Sequence, residues 1–193
     1  MADLEAVLVI NGSYYSHRGI PDTPILSAGG QLGPRDYDAR HVAFVESNSS
    51  TAIHDLAAKS WQAVFAGAHD AMVSYPLLLA ADGSNRVTAD NRWLANRSLV
   101  GEDDAGRTVL GTTTDAFFAL DRLAAFLHAA PLWLTIALNL DGGPLACHGV
   151  SLGVYRRHFC GQWGTQTQGS DLRLLGWRLG TWALPIVLAV TWR

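Results

Sequence analysis

Short apolar runs, separated by polar segments rich in glycine and proline, recur along the chain and predict several strands. The segment AMVSYPLLLAADGSN indicates two strands joined by a turn, and the last third, from GVSLGVYRRHF to PIVLAVTWR, indicates further strands. The clearest runs of strand length are EAVLVI at 5–10, HVAFVES at 41–47, RTVLGTTT at 107–114 and LWLTIALNL at 132–140.

Two segments have the apolar spacing of a helix that packs one face on a core. In residues 55–65 the apolar positions are Leu56, Ala57, Trp61 and Val64. In FFALDRLAAFLHAA the stripe consists of Phe117, Leu120, Leu123, Ala124 and Leu127. Because this second helix lies between two predicted strands, it indicates a crossover connection. We therefore expect an α+β fold, with one central, twisted, mixed sheet flanked by a few helices, in a single domain over residues 1–193.

The composition narrows the class of protein. A chain of 193 residues with 49% hydrophobic residues suits one domain with a substantial core. The net charge of −3 gives no global attraction to nucleic acid, which is not an expected partner. No apolar run reaches the roughly 20 residues of a membrane span. The N-terminus shows no signal peptide, since it lacks a basic start and a cleavable apolar core. The oligomeric state is not indicated.

The two cysteines, Cys147 and Cys160, allow more than one interpretation. They either form one bridge across a short loop, which stabilises by about 3 kcal/mol and suggests an oxidising compartment, or remain as two buried thiols. With the neighbouring His148 and His158 they also offer the atom types that bind zinc, although the spacing fits no standard zinc finger.

A polar cluster ends the apolar run LWLTIALNL. Asn139 and Asp141 alternate with Leu140, so at a strand end they point to the same side. Gly142 and Gly143 let the backbone turn sharply and leave the space beside the carboxylate free of side chains. The pattern is typical of a binding loop, and equally of a simple turn that Asp141 caps.

Four segments in this order, VINGSYYSHRGIPDTP, SYPLLLAADG, RTVLGTT and ALNLDGGP, resemble the phosphodiester glycosidase family. The family motif of Asn-Gly-Gly or Asn-Gly-Ser followed by aromatic residues is matched by residues 11–15. The Arg-Thr-x-x-Gly motif is assigned to residues 107–111, and the Asn-Leu-Asp-Gly-Gly motif to residues 139–143. The resemblance covers most of the chain from residue 7 to about residue 149.

The chain departs from the family pattern at three places. Between RTVLGTTT and the helix, relatives usually have a further strand, for which DAFFAL leaves little room. Pro144 and Leu145 replace the Gly-Ser or Ser-Ser that often follows the glycine pair. The segment before Asn11 is short, so the predicted domain has little space for the strands that precede this motif in relatives.

The resemblance implies a hydrolase that cleaves a glycosidic bond next to a phosphodiester, in a cell-surface glycan or a related carbohydrate. It also implies a bacterial, extracytoplasmic protein of the periplasm, the envelope or the exterior. A non-catalytic module that binds carbohydrate or phosphate, and a metal-assisted phosphodiesterase, remain as alternatives. The sequence leaves room for a divalent cation near Asp141 and indicates no other cofactor.

Cleavage at an anomeric carbon requires a group that binds the phosphate and an acid or base. Arg107 is the candidate for the phosphate because its planar guanidinium holds two oxygens at once. The alternative for Arg107 is a salt bridge with Glu102 or Asp103. Asp141 is the candidate catalytic carboxylate, and Glu46 is a further one.

The same hypothesis assigns substrate binding to neighbouring residues. Asn11 and Asn139 either bind sugar hydroxyls or satisfy backbone groups in tight turns. Tyr14 and Tyr15 either offer a face for a sugar or pack in the core. The predicted substrate-binding set is Asn11, Gly12, Tyr15, Thr108, Asn139, Gly142 and Gly143.

We expect Asn11, Arg107 and Asp141 to meet in one cleft at the edge of the central sheet, because each motif begins or follows a predicted strand. His17 and His41 lie in or beside predicted loops and are candidate proton carriers at neutral pH.

Overall fold

The computed structural model describes residues 5–48, 50–87, 89, 92–114, 116–161, 164–168, 171–175 and 183–192. Within them the chain is mainly β-structure, and no described helix is long and apolar enough to cross a membrane. The helices are α1 (Trp61–Phe65) and α2 (Leu120–Ala129). The strands are β1 (Ala6–Asn11), β2 (Ile25–Ser27), β3 (Gly30–Leu32), β4 (Val42–Ser47), β5 (Ser50–Asp55), β6 (Asp70–Ser74), β7 (Leu77–Leu79), β8 (Trp93–Ala95), β9 (Ser98–Asp103), β10 (Thr108–Thr112), β11 (Leu134–Asn139), β12 (Cys147–Leu152), β13 (Tyr155–Cys160), β14 (Gly164–Gln168), β15 (Asp171–Leu175) and β16 (Val187–Thr191).

The described strands form four sheets, where the sequence predicts one central mixed sheet. We name them the β1 sheet (order β13-β12-β1-β16), the β9 sheet (β10-β9-β11-β7), the β4 sheet (β3-β2-β6-β4-β5) and the β14 sheet (β15-β14-β8). Every pairing between described strands is antiparallel. The α+β class is compatible with these antiparallel sheets and two helices, but a single central mixed sheet is not shown.

The β9 sheet contains the predicted crossover. β10 and β11 both run antiparallel to β9, so they are parallel to each other, and α2 connects them. The apolar stripe of α2 buries Leu123, Ala124 and Leu127 in a cluster with Leu79 of β7 and Ala137 of β11. The helix therefore covers one face of the sheet that carries the NLDGG segment.

β9 lies in a segment that the hydrophobic pattern leaves as polar. Nearly all of its residues, SLVGED, are buried. Its two buried polar side chains have partners, since the Ser98 hydroxyl lies 3.2 Å from the Thr112 hydroxyl and Asp103 accepts N–H groups from Ala105 and Arg107. Polar residues are tolerated in an inner strand when they are satisfied in this way, and their presence conceals the strand from a hydrophobicity pattern.

One core cluster joins the β1, β4 and β9 sheets. It contains Ile10 of β1, Val42 of β4, Met72 of β6, Val100 of β9 and Leu138 of β11, all of them almost fully buried. Since each of these sheets contributes apolar side chains, removal of this surface from water holds the three sheets together.

The first predicted helix begins later than expected. Residues 50–55 form β5, where Thr51 and Ile53 favour a strand, and only Trp61–Phe65 are helical. The hydroxyl oxygen of Ser60 accepts the N–H of Ala63 at 3.2 Å, which defines the start of α1.

A disulfide closes the hairpin of β12 and β13. Cys147 and Cys160 are directly opposite partners, with their Cα atoms 4.0 Å apart, and their sulfur atoms are bonded. Of the alternatives left open by the sequence, the structure contains the bridge. Because a disulfide supplies no thiolate, the zinc hypothesis for these cysteines is wrong.

Loss of this disulfide is expected to lower the free energy of unfolding by about 3 kcal/mol, because the bridge restricts the unfolded chain across a separation of 13 residues. Urea denaturation of Cys147→Ser/Cys160→Ser, and of the wild-type protein in dithiothreitol, should show the same loss. Dithiothreitol should not change the double variant. Equal stability of all these samples would contradict the prediction.

Candidate functional site

The end of β11 is anchored to β1 through the backbone of Asp141. Nδ2 of Asn11 donates to the carbonyl oxygen of Asp141 at 2.8 Å, and the N–H of Asp141 donates to the carbonyl of Gly12 at 3.1 Å. The N–H of Cys147 donates to Oδ1 of the buried Asn11 at 3.0 Å. The structure therefore brings together the Asn11 and Asp141 motifs, as the sequence predicts.

The half-buried carboxylate of Asp141 has an unusual electrostatic environment. Its pKa is raised to about 6, chiefly because it is buried, and the negative charge of Asp22 acts in the same direction. The Gly142 N–H, which donates to Oδ1 at 2.8 Å, and the positive charge of Arg97 act in the opposite direction. A carboxyl with this pKa exchanges its proton near neutral pH, as a general acid or base requires.

Asp22 was not identified from the sequence. It lies in the loop between β1 and β2, where its N–H donates to the carbonyl of Tyr14 at 3.0 Å. An exposed aspartate in a loop of the composition Gly-Ile-Pro-Asp-Thr-Pro carries no sequence signal that separates it from an ordinary turn residue.

Arg97, immediately before β9, supplies positive charge to the site. Its side chain is buried, with Nε donating to the carbonyl of Phe118 at 3.0 Å and Nη2 to the carbonyl of Trp93 at 2.6 Å. Burial lowers its pKa, while Tyr14 and Asp141 raise it. Within the described residues it forms no salt bridge. A buried guanidinium held only by neutral carbonyls indicates a place where an anion is stabilised.

The glycine pair lies directly against this arginine. A Cβ atom added to Gly142 would stand 3.4 Å from Nη1 of Arg97 and 3.0 Å from the carbonyl oxygen of Asn96. Gly143 has a φ of +64°, and its N–H donates to the same Asn96 carbonyl at 2.8 Å. The glycines thus allow the chain after Asp141 to cross close over Arg97. The contact of Gly142 and Gly143 with substrate stays a prediction.

Arg107 does not lie beside Asp141, and the expectation that the two meet is corrected here. Arg107 follows β9, whose last residue, Asp103, pairs with Leu134 at the beginning of β11. Asn139, at the other end of β11, pairs with Leu99 at the beginning of β9. The two motifs therefore occupy opposite ends of the same pair of strands.

The contacts of Arg107 are those of a structural ion pair. Its Nε and Nη2 atoms each lie 2.7 Å from Oδ2 of Asp103, and its side chain is 74% exposed. Thr108 follows on β10, with its hydroxyl hydrogen-bonded to that of Thr51 on β5. The salt bridge that the sequence offered as an alternative is present, and neither Arg107 nor Thr108 reaches the site.

The sequence did contain a signal for Arg97. The pattern Arg-Thr-x-x-Gly has a second match, with serine in place of threonine, in Arg97, Ser98 and Gly101. With the motif placed there, β10 is a further strand between the motif and α2. The apparent shortage of space at DAFFAL disappears, which supports this assignment over Arg107.

Asn139 organises the floor of the site. Its Nδ2 donates to the hydroxyl of Tyr14 and to the carbonyl of Leu140, both at 2.6 Å, and the Tyr14 hydroxyl donates to the carbonyl of Tyr75 at 2.9 Å. Asn139 is completely buried, and its Oδ1 has no hydrogen-bond partner among the described residues. Burial raises the pKa of Tyr14. Asn139 thus satisfies neighbouring protein groups, one of the two roles that the sequence allowed.

The segment preceding β16 forms one side of the site. The hydroxyl of the half-buried Tyr15 donates to the carbonyl of Ala183 at 3.1 Å, and burial followed by the charge of Asp141 raises the Tyr15 pKa. Gly12 donates its N–H to the carbonyl of Ile186 at 2.8 Å. A Cβ atom at Gly12 would stand 2.4 Å from Cγ2 of Ile186, so only glycine fits.

Glu46 lies away from Asp141. It pairs with Asp70 at one end of β4 and β6, whereas Ser74, at the other end of β6, donates to the carbonyl of Asn139. Glu46, Asp70 and His69 bring ligand-type atoms within 4.8 Å of one another, as a metal site would. In the described part of the chain Asp141 belongs to no such group, and the divalent cation near it stays a prediction.

The two candidate histidines differ in location. His17 is exposed in the loop after β1. The half-buried His41 has its ring centre 4.5 Å from that of Tyr75, which in turn stacks on Tyr14 at 4.3 Å. Only His41 is connected to the site by ring contacts.

Comparison with known proteins identifies the family of the chain and the fold that it shares with solved structures. The family model described as phosphodiester glycosidase matches residues 4–147. The chain is similar in structure to the catalytic domain of zebrafish N-acetylglucosamine-1-phosphodiester alpha-N-acetylglucosaminidase, auto-inhibited by its pro-peptide, with a TM-score of 0.67, 18% identity, and coverage of 98% of this chain and 64% of that one. A hypothetical protein from Synechocystis has a TM-score of 0.51, 16% identity, and coverage of 81% and 49%.

These similarities in structure show the fold. The chain spans less than two thirds of the zebrafish structure and about half of the Synechocystis structure. No curated protein sequence matches it significantly.

We predict that the Asp141 carboxyl titrates near pH 6 and that Asp22→Asn lowers its pKa, because the substitution removes a negative charge that opposes ionisation. The measurement is carbon-13 NMR of the carboxyl resonances across a pH titration. Asp104→Asn, an exposed position at the turn after β9, is the matched control and should have no effect. An Asp141 pKa at the ordinary 3.8, unresponsive to Asp22→Asn, would contradict the described environment.

Proposed function

Because the chain belongs to the phosphodiester glycosidase family, we propose that it is a hydrolase that cleaves the glycosidic bond of a sugar-1-phosphodiester. The observation that carries the proposal is the position of Asp141, a carboxyl that titrates near neutral pH, beside the buried guanidinium of Arg97. These are the two groups that the reaction requires, one for the proton and one for the phosphate.

Arg97 binds the phosphodiester and stabilises the charge that develops on it. When the bond between the anomeric carbon and the phosphate oxygen breaks, its electron pair stays on that oxygen. The leaving group is then a phosphate monoester, whose second pKa is about 6, so it needs little protonation to depart. Arg97 has N–H groups beyond those donated to Phe118 and Trp93, and these face the Gly142 backbone next to Asp141.

Asp141 acts as the base. A water molecule adds its oxygen to the anomeric carbon and gives a proton to the ionised carboxylate. The Gly142 N–H fixes Oδ1, while Asn11 and Gly12 hold the backbone of Asp141 from both sides. Asn11, Gly12 and Asn139 thereby position the reacting group, and Tyr15, Gly142 and Gly143 border the space for the sugar phosphate.

The substrate and the cellular location belong to the same proposal. The zebrafish relative is named for N-acetylglucosamine-1-phosphodiester, so a simple ester of that sugar phosphate is the first compound to test. The Cys147–Cys160 bridge favours an extracytoplasmic location, because structural disulfides persist in oxidising compartments.

The proposed hydrolase breaks the bond between the anomeric carbon and oxygen, whereas a phosphodiesterase breaks a bond to phosphorus and a binding module breaks neither. In water enriched in oxygen-18, hydrolysis of N-acetylglucosamine-1-phosphate methyl ester should place the label on the sugar and release methyl phosphate. Label in the phosphate would indicate attack at phosphorus, as in a metal-assisted phosphodiesterase. Tight binding without turnover would indicate a non-catalytic module.

Asp141→Asn is expected to lower the single-turnover rate by a factor of roughly 100 or more, the contribution of a positioned base. Asparagine keeps the acceptor for the Gly142 N–H, so the thermal midpoint should change little. For the wild-type enzyme, kcat/KM should rise with pH through about 6, since the carboxylate must be ionised to act. Full activity of a folded Asp141→Asn protein would remove Asp141 from the mechanism.

Two substitutions, Arg97→Lys and Arg107→Lys, test which of the two arginines binds the phosphate. Arg97→Lys is expected to cost roughly 1.5–3 kcal/mol, or about 10- to 100-fold in kcat/KM, since lysine cannot hold two oxygens at once. It should also weaken inhibition by methyl phosphate. Arg107→Lys, the matched control, should leave both values unchanged because Arg107 only pairs with Asp103. A larger loss of kcat/KM in Arg107→Lys than in Arg97→Lys would show that Arg107 binds the phosphate.

A further inference from the structure

A line of aromatic rings leads away from Asp141 and has no role in the reaction described above. Tyr14 stacks on Tyr75 with ring centres 4.3 Å apart, Tyr75 lies 4.5 Å from His41, and His41 lies 5.7 Å from Tyr37. The Tyr37 hydroxyl is also hydrogen-bonded to Nδ1 of His41. We call these four residues the aromatic strip. All of them are half-buried.

The strip ends at a cleft of about 220 Å³, which we call the Tyr37 cleft. Leu56 and Trp61 form its buried floor, and Nε1 of Trp61 donates to the carbonyl of Tyr37 at 2.8 Å. Arg40 and Lys59 lie on its rim, where Nη1 of Arg40 donates to the carbonyl of Lys59 at 3.4 Å. The cleft therefore combines an apolar floor with two cationic side chains.

Charge favours an anion at this rim. Arg40 and Lys59 are opposed by one acid, Asp38, so the lining is positive although the chain as a whole carries −3. Lys59 is also the only lysine in the sequence. Because Tyr75 stacks on Tyr14 and lies 4.5 Å from His41, the strip offers a sugar its ring edges and polar atoms and not a free ring face. Arg40 and Lys59 attract phosphate, so the strip and the cleft together match alternating sugar and phosphate groups.

We propose that the aromatic strip and the Tyr37 cleft form an extended subsite for an oligomeric glycosyl phosphodiester. The sugar beyond the scissile phosphodiester packs along Tyr75 and His41, and the next anionic group binds between Arg40 and Lys59. This inference rests on the proposed function and specifies its substrate class as a polyanionic chain of sugar and phosphate units.

Binding and turnover of a matched pair of compounds test the subsite. The short compound is N-acetylglucosamine-1-phosphate methyl ester, and the long one carries a further sugar phosphate in place of the methyl group. Titration calorimetry with Asp141→Asn measures binding without hydrolysis. The long compound should bind about tenfold more tightly than the short one, as expected for two exposed ion pairs of up to about 1 kcal/mol each, and salt should reduce the difference.

Variants show which residues cause the tighter binding of the long compound. Adding Arg40→Ala and Lys59→Ala should remove the tenfold advantage of the long compound and leave binding of the short one unchanged. Arg122→Ala, an exposed position on α2, is the control and should preserve the advantage. Tyr37→Phe keeps the ring and tests the hydroxyl contact with His41, and its effect should be confined to the long compound.

The outcomes distinguish this inference from the proposed function. Equal affinity for the two compounds, or an advantage left undiminished by loss of both Arg40 and Lys59, would overturn the subsite even if both compounds are hydrolysed. An advantage that depends on Arg40 and Lys59 supports the subsite. Absence of turnover of either compound by the wild-type protein would instead contradict the hydrolase function.

Discussion

The side-chain amide of Asn11 is the contact on which the arrangement of the site depends. It binds the carbonyl of Asp141 on one side and the N–H of Cys147 on the other, and so connects the ends of β1, β11 and β12 in the buried interior. A side chain with both a donor and an acceptor is needed there, because either partner left alone would be a buried, unsatisfied backbone group. An aspartate would lack the donor, and an alanine would lack both.

A second constraint is the burial of Arg97. Removing a guanidinium from water is costly, and carbonyl groups of Phe118 and Trp93 offset only part of that cost. Asp141 provides nearby negative charge that raises the pKa of Arg97, without a direct ion pair among the described residues. The charges of Asp141 and Arg97 are thus close enough to influence one another. Such a site is tuned by electrostatics already present before substrate arrives, which is the general basis of catalysis by preorganised dipoles and charges.

The sequence predicted the strands whose apolar runs are unbroken, the α2 crossover, and the meeting of the Asn11 and Asp141 motifs. It did not predict β9, because a buried strand containing serine, glutamate and aspartate has no hydrophobic pattern, and its polar side chains are satisfied only in the folded sheet. The same gap led to Arg107 in place of Arg97, since the Arg107 segment matches the motif with threonine, whereas the Arg97 segment has serine and lies in the strand that the pattern missed. The division into four sheets depends on register and long-range pairing, which short apolar runs do not specify.

The pairing of β1 also has a consequence for how the protein is made. β1 lies between β12 and β16, with Asn11 opposite Val187, so the first described strand is completed by the last. Contacts between such distant parts of a chain form slowly, because closing a long loop costs entropy before any contact is gained. During synthesis, Asn11 leaves the ribosome long before its partner strand exists. The protein can therefore begin to assemble the β4 sheet while it is being made, but it cannot complete the surroundings of Asp141 until β16 and the segment before it have emerged.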